Sequence, residues 1–321
     1  MFEKLKKNLV ISLLITAFIF FLFGVFTDFS SIIDSFKKFN WLLLPVLLFL
    51  SLGNYFVRFI KWEFYLRLLK IKIARLLSAK IFFSGLAMSA SPAKMGEVLK
   101  SFLLKEIINE PISKTASIIF AERLTDLLSL TFLAIVGGLY CHYNNVLIYL
   151  TASFFIVLII VISNRVIAEK IILLFTRLPL VKNQISNIKN LYESAYILLQ
   201  PKALFSMLAV SIVSWFFECF GFYLILFNFE QSFSILWSTF VYAFSIIAGA
   251  VSMLPGGLGV TEGSLSLIMI KGGIPQVTAI ATTIIIRTMT LWFAVILGLT
   301  VLFFLRKEYN NSLNKTRSKN G

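Results

Sequence analysis

The sequence predicts an all-α, polytopic membrane helical bundle, with about six full spans plus two re-entrant helical hairpins in inverted repeats. Three observations carry this. Hydrophobic residues make up 59% of the 321 residues, against roughly 45–50% in soluble domains, and mean hydropathy is +0.90. Several apolar runs reach the ~20 residues that cross a bilayer as a helix. Two proline- and glycine-bearing stretches, SASPAKMGEVLKSFLL at 89–104 and SMLPGGLGVTEGSLSLIM at 252–269, interrupt that apolar background in a matched way.

The full spans are residues 8–27, 41–60, 115–140, 146–163, 203–228 and 276–305. Continuous apolar runs in lipid must satisfy their own backbone hydrogen bonds, so they are helices. They lack the alternation of barrel strands. The first run has a basic start, MFEKLKKN. It exceeds a signal-peptide core and shows no small-x-small cleavage site, so it reads as a retained span. Cys141 and Cys219 are isolated, and His142 is the only histidine. Neither a disulfide framework, a metal site nor a cofactor is expected.

The net charge of +15 is spread over particular connections, which argues for topology and against nucleic acid. Lys and Arg collect on the cytoplasmic side. The N-terminus, residues 61–80 with Lys61 and Arg67 among their basic groups, residues 164–202 and the tail from Arg306 are the basic connections. They place both termini in the cytoplasm of a bacterial or archaeal cell, with the chain in the plasma (inner) membrane. Residues 28–40, CHYNN and NFEQS are poor in net positive charge and belong outside. Residues 182–200 have helical apolar spacing and are expected along the membrane surface. Trp41, Trp62 and Trp237 lie near span ends and read as interface anchors.

Residues 81–104 and 233–271 remain. Each starts and ends on one side, so each is a hairpin that enters and returns. Pro92 and Gly96 are four apart, as are Pro255 and Gly259. Glu97 and Glu262 follow, and an arginine comes 26 and 25 residues later, at Arg123 and Arg287. The integral membrane domain 1–321 therefore divides into a first span and outer loop (1–40), repeat unit one (41–140), a linking span and cytoplasmic loop (141–202), repeat unit two (203–305) and a basic tail (306–321). Paired interruptions in inverted halves point to a transporter's central site. Gly256, Gly257 and Gly259 allow positive φ at the break. The helix starting near Val260 would turn its free N–H groups inward, an arrangement that suits an anion.

A charge at the centre of a span costs ~2.5–3.5 kcal/mol on insertion scales, and many are present here. Lys94, Glu97, Glu122, Arg123, Asp126, Glu262 and Arg287 form the candidate substrate-binding set, together with Gly96, Pro255, Gly256, Gly257 and Gly259. Arginine's planar fork matches phosphate oxygens, and Lys94 offers a point charge. Mutual neutralisation that fixes helix register is the alternative reading, and it stands beside function for Glu122, Asp126 and Glu218. Arg58, near the inner end of its span, is expected to reach the headgroups.

SPAKMGEVLKSFLL, AERLTDLLSL, LPGGLGVTEGSLSL and IRTMTLW, with the Arg58–Lys61–Trp62 step, together resemble the transmembrane, flippase-like domain family of lysylphosphatidylglycerol synthases. Ala93 stands where that family often has glycine. The resemblance implies translocation of a phosphate-bearing lipid between leaflets: a phospholipid, an aminoacylated phospholipid or a polyprenyl-phosphate carrier. It implies the translocating half and not the soluble aminoacyl transferase. The partners implied are membrane lipids and a separately encoded lipid-modifying transferase. Two alternatives stand beside it. One is a headgroup-modifying enzyme, such as a phosphatidylglycerol lysyltransferase component, using Glu122 and Asp126 as acid and base. The other is a non-catalytic membrane partner of a transferase.

Overall fold

The computed structural model describes residues 29–91, 95–140 and 185–320, and also 146, 149, 150, 153 and 157. Every regular element among them is helical. In order they are α1 (Phe29–Lys38), α2 (Leu44–Leu68), α3 (Arg75–Gly85), α4 (Leu99–Ile108), α5 (Ile112–Tyr140), α6 (Ile185–Leu198), α7 (Pro201–Asn228), α8 (Ile235–Val251), α9 (Val260–Lys271), α10 (Gln276–Arg287) and α11 (Phe293–Asn320). The predicted spans 8–27 and most of 146–163, the loop CHYNN and His142 lie outside the described residues.

Among the described residues, three helical stretches are long and apolar enough to cross a membrane: Trp41–Leu68, Pro201–Asn228 and Gln276–Lys307. The 29-residue α5 matches them in length but carries Glu122, Arg123 and Asp126 along its course. Proline starts α2 and α7 at their first or second helical position, where its missing N–H would have no helical partner anyway. The last helix is continuous from α10 to α11 through a π turn at Thr288–Trp292. Its displaced carbonyls find partners on α2: Ser51 Oγ donates to Met289 O at 2.8 Å, and Tyr55 Oη donates to Thr290 O at 2.6 Å.

Two short helix pairs fall where the sequence places its interruptions. In the first pair, α3 has 11 residues and α4 has 10, about 15 Å each at 1.5 Å per residue. In the second, α8 has 17 and α9 has 12. Neither α3, α4 nor α9 can cross a ~30 Å hydrocarbon layer alone.

The apolar interior consists of two main cores. One gathers Leu47, Leu130, Ala134, Trp215, Phe222, Phe240 and Leu265 around α8 and α9. The other gathers Trp62, Tyr65, Phe82, Leu104, Leu124, Met207 and Leu302 around α3 and α4. The long helices α2, α5 and α7 each contribute one end to each core, so the two short pairs sit toward opposite ends of the bundle. The α6 helix, expected along the surface, packs Leu198 and the following Leu199 into the second core and leaves Lys189 and Glu193 exposed.

One predicted boundary changes, and two residue readings change with it. The span predicted at 41–60 continues to Leu68. That extension takes Lys61 out of the expected basic loop and buries it completely. Trp62, expected as an interface anchor, is also fully buried, and its Nε1 donates to Ser78 Oγ at 3.1 Å. The cause is polar supply from neighbouring helices: a lysine stays in the interior when a carboxylate and hydroxyls replace its water.

Candidate functional site: a cationic cavity where two helix breaks meet

The tips of the two breaks touch. Gly256 N donates to Ser91 O at 3.4 Å, and a Cβ placed on Gly256 would lie 3.2 Å from Ala90 Cα. The break before α9 turns through residues of positive φ: Met253 at 55°, Gly256 at 60°, Gly257 at 67° and Gly259 at 86°. Glycine adopts such values without a Cβ penalty. Close packing adds a second demand at Gly257, where a Cβ would lie 3.0 Å from Gly249 Cα.

Within unit two, one carboxylate organises the break. Glu262 accepts from Gly259 N–H at 2.6 Å through Oε2 and from Arg287 Nε at 2.6 Å through Oε1. Arg287 also donates to Gly256 O at 2.7 Å. The N-terminus of α9, expected to offer free N–H groups, is thus partly capped by the chain's own glutamate, as in a capping box. Arg287, at 5% side-chain exposure, is held at both ends of its guanidinium.

Within unit one the arrangement is richer. Arg123 donates to Glu97, the counterpart of the Arg287–Glu262 pair. Arg58 stands 3.6 Å from Glu97 and 3.9 Å from Asp126. Arg123 stands 3.6 Å from Asp126. Lys61 Nζ donates to Asp126 at 2.5 Å, to Ser211 Oγ at 2.7 Å and to Thr125 Oγ1 at 3.2 Å. Lys100 Nζ donates to Glu122 at 2.5 Å and lies 4.5 Å from the Trp62 ring centroid. Four cations, Arg58, Lys61, Lys100 and Arg123, therefore face three carboxylates, Glu97, Glu122 and Asp126, with nearly all of them buried. Glu218, on the wall of the same cavity, adds a fourth carboxylate and balances the count, so what the cluster offers an anion is arginine donors and not a surplus of charge.

A cavity of about 260 Å³ lies at this junction. Arg58, Arg123 and Asp126 line it from one side, and Gly256, Gly257 and Arg287 from the other. Glu218 lines it from α7 and accepts from Tyr242 Oη at 2.7 Å. Arg58 makes only the two long ion contacts among the described residues, both beyond hydrogen-bond distance. Arg123 Nε and Asp126 Oδ2 are buried without a hydrogen-bond partner among the described residues. The donor capacity of the cavity is thus on the Arg58–Arg123 side.

Of the residues singled out from sequence, Arg123, Asp126, Gly256, Gly257 and Arg287 line the cavity. Glu97, Gly259 and Glu262 stand behind it as their partners. Glu122 is turned to Lys100, so it and Asp126 are engaged by different lysines although they are four apart on one helix. Pro255 sits in the turn, and Gly256 follows it into the wall. Gly96 lies in the short helical turn Met95–Val98. Lys94 and Pro92 lie outside the described residues. Arg58 is a correction: its side chain is 6% exposed and lines the cavity instead of reaching a headgroup layer. Two carboxylates within 4 Å hold it inward. Its signal in the sequence was the three-residue spacing to Lys61, which puts both cations on one face of α2.

A family described as "Lysylphosphatidylglycerol synthase TM region" matches residues 9–298. A UPF0104 membrane protein of Methanocaldococcus jannaschii is 24% identical over 217 residues, covering 68% of this chain and 92% of its own. One of Methanothermobacter thermautotrophicus is 24% identical over 295 residues, covering 84% and 85%. One of Pyrococcus horikoshii is 25% identical over 243 residues, covering 68% and 72%.

Proposed function

This chain is a multi-pass membrane protein of the lysylphosphatidylglycerol synthase TM region family, and on that premise we propose that it translocates a phosphate-bearing lipid between leaflets. The observation that carries the reading is the cavity at the meeting point of two helix breaks, with three arginines on its walls. In this reading α3–α4 and α8–α9 are re-entrant hairpins of two inverted units. Their short lengths, opposite cores and touching tips support it. Irregular backbone at depth is tolerated when it lines such a cavity.

Arg58 and Arg123 hold the phosphate in this account, because their guanidinium groups have donor capacity to spare. Arginine's fork suits a tetrahedral oxyanion better than a lysine point charge does. Arg287, with Glu262, latches the second break in shape. Glu97, Asp126, Lys61 and Lys100 fix the two anchoring arginines. Substrate candidates are an anionic or aminoacylated phospholipid and a polyprenyl-phosphate carrier. Alternating access would come from rocking one unit against the other, in the inner membrane with both termini cytoplasmic. A separately encoded transferase would supply a modified headgroup.

The test is leaflet exchange by purified protein in phosphatidylglycerol liposomes, with the headgroup followed by mass spectrometry. Exchange with an unchanged headgroup is expected. A changed headgroup without exchange would instead favour the enzyme reading. The separate engagement of Glu122 and Asp126 by Lys100 and Lys61 argues against a free acid–base pair there.

A further inference from the structure

The helices α5 and α8 make the most extensive contact between helices in the described fold. They run antiparallel. At one end they touch backbone to backbone: a Cβ on Gly137 would lie 2.5 Å from Leu236 O and 2.8 Å from Phe240 Cβ. The same face of α5 continues through Ala134, Leu130 and Leu127 to Arg123, stepping by three or four residues. The facing stripe on α8 runs from Leu236 to Ile246, Ala250 and the following Met253. At that other end the cavity lies between the two stripes. Its rim there is open. Met253 is 70% exposed, Leu254 44%, and Ala250 is exposed too. The pair therefore frames a slot, closed at Gly137 and open about 20 Å away beside Arg123, at 1.5 Å per residue.

We infer that the hydrocarbon chain of a bound lipid leaves the cavity sideways through this slot, against Leu127, Leu130, Ile246, Ala250, Met253 and Leu254. The inference deepens the translocation reading and rests on it for the headgroup. Two features support a lipid over a soluble anion. The six slot side chains are all apolar, yet they adjoin the arginines directly. A volume of about 260 Å³ falls below the ~300–1,000 Å³ of sites that enclose a whole ligand. The cavity can hold a phosphate head while the chain stays outside in the apolar layer. In the orientation given by the basic loops, the closed end faces outward and the slot opens to the inner leaflet. This form would then take its lipid from that leaflet.

The experiment uses the full chain in phosphatidylglycerol liposomes doped with a phosphatidylglycerol carrying a diazirine in one acyl chain. Illumination and peptide mass spectrometry map the adducts. Enrichment of several-fold is expected at Leu127, Ala250, Met253 and Leu254 over Phe49, Phe205 and Leu267, which are exposed apolar side chains away from the slot and more exposed than Leu127 and Leu254. Arg58→Gln, which removes about tenfold of headgroup affinity, the worth of one charge-assisted hydrogen bond, should bring that enrichment down to the level of the reference positions. Ala250→Trp, at an exposed position, should lower labelling of Leu127 while the melting temperature holds. An even spread of adducts, or labelling of Leu127 untouched by Ala250→Trp, would overturn the slot. Enrichment without leaflet exchange would keep the slot and overturn translocation; exchange with an even spread would do the reverse.

Discussion

Lys61 shows how much of this site rests on single side chains. It is fully buried and bridges α2, α5 and α7 through Asp126, Thr125 and Ser211. Removing one partner of a buried pair leaves an uncompensated charge, at a cost of ~3–5 kcal/mol. Lys61→Met should therefore lower the thermal midpoint in detergent sharply. Lys61→Met with Asp126→Leu should recover much of the loss, which a thermal melt of both variants checks. Unit two makes a different demand. Arg287 uses Nε for Glu262 and its terminal nitrogen for Gly256 O. A lysine cannot reproduce that fork, so Arg287→Lys should destabilise nearly as much as Arg287→Gln, by about 1–3 kcal/mol. The sequence announced Arg123, Arg287, Glu97 and Glu262 by their repeated spacing. It hid Arg58 and Lys61, because a cation near a span's predicted end looks the same whether it snorkels outward or pairs inward. Only the neighbouring helices decide which.

Among the elements, the break before α9 and the seam of α5 with α8 carry most of the geometry. Gly259 has φ of 86° and begins α9, so Gly259→Ala strains the turn, by about 1 kcal/mol or more. Gly263, four residues on, has nothing within 4 Å of an added Cβ. Gly263→Ala should stabilise by up to ~1 kcal/mol through helix propensity. Opposite shifts of the melting temperature for two neighbouring Gly→Ala changes would verify the turn; equal shifts would contradict it. The existence of two helix breaks was legible, because proline and glycine in an apolar background have few other readings. The π turn at Thr288–Trp292 was not. Its carbonyls are satisfied by Ser51 and Tyr55, more than two hundred residues away in sequence, and local pattern carries no trace of such partners.

At the scale of the whole molecule, the two breaks use one arginine–glutamate pairing with unequal numbers of charged groups around it. Unit two neutralises its arginine with one glutamate. Unit one surrounds its own with three further cations and three carboxylates. In the proposed translocation, an inverted plan would suit alternation between two open states, and the arginines on the unit-one side would hold the ligand at that end. Membrane architecture and the meeting of the breaks were readable from hydropathy and spacing. Which arginine faces the cavity with spare donors was not, since that depends on the α2–α5 contact. The most direct test of the central claim compares three proteins in phosphatidylglycerol liposomes: the parent, Arg58→Gln and Arg67→Gln, the last at an exposed position beyond the cavity. The measurement is the rate of lipid leaflet exchange. The account predicts exchange above protein-free vesicles, unchanged in Arg67→Gln and about tenfold slower in Arg58→Gln. Equal rates in all three, or none above protein-free vesicles, would contradict it.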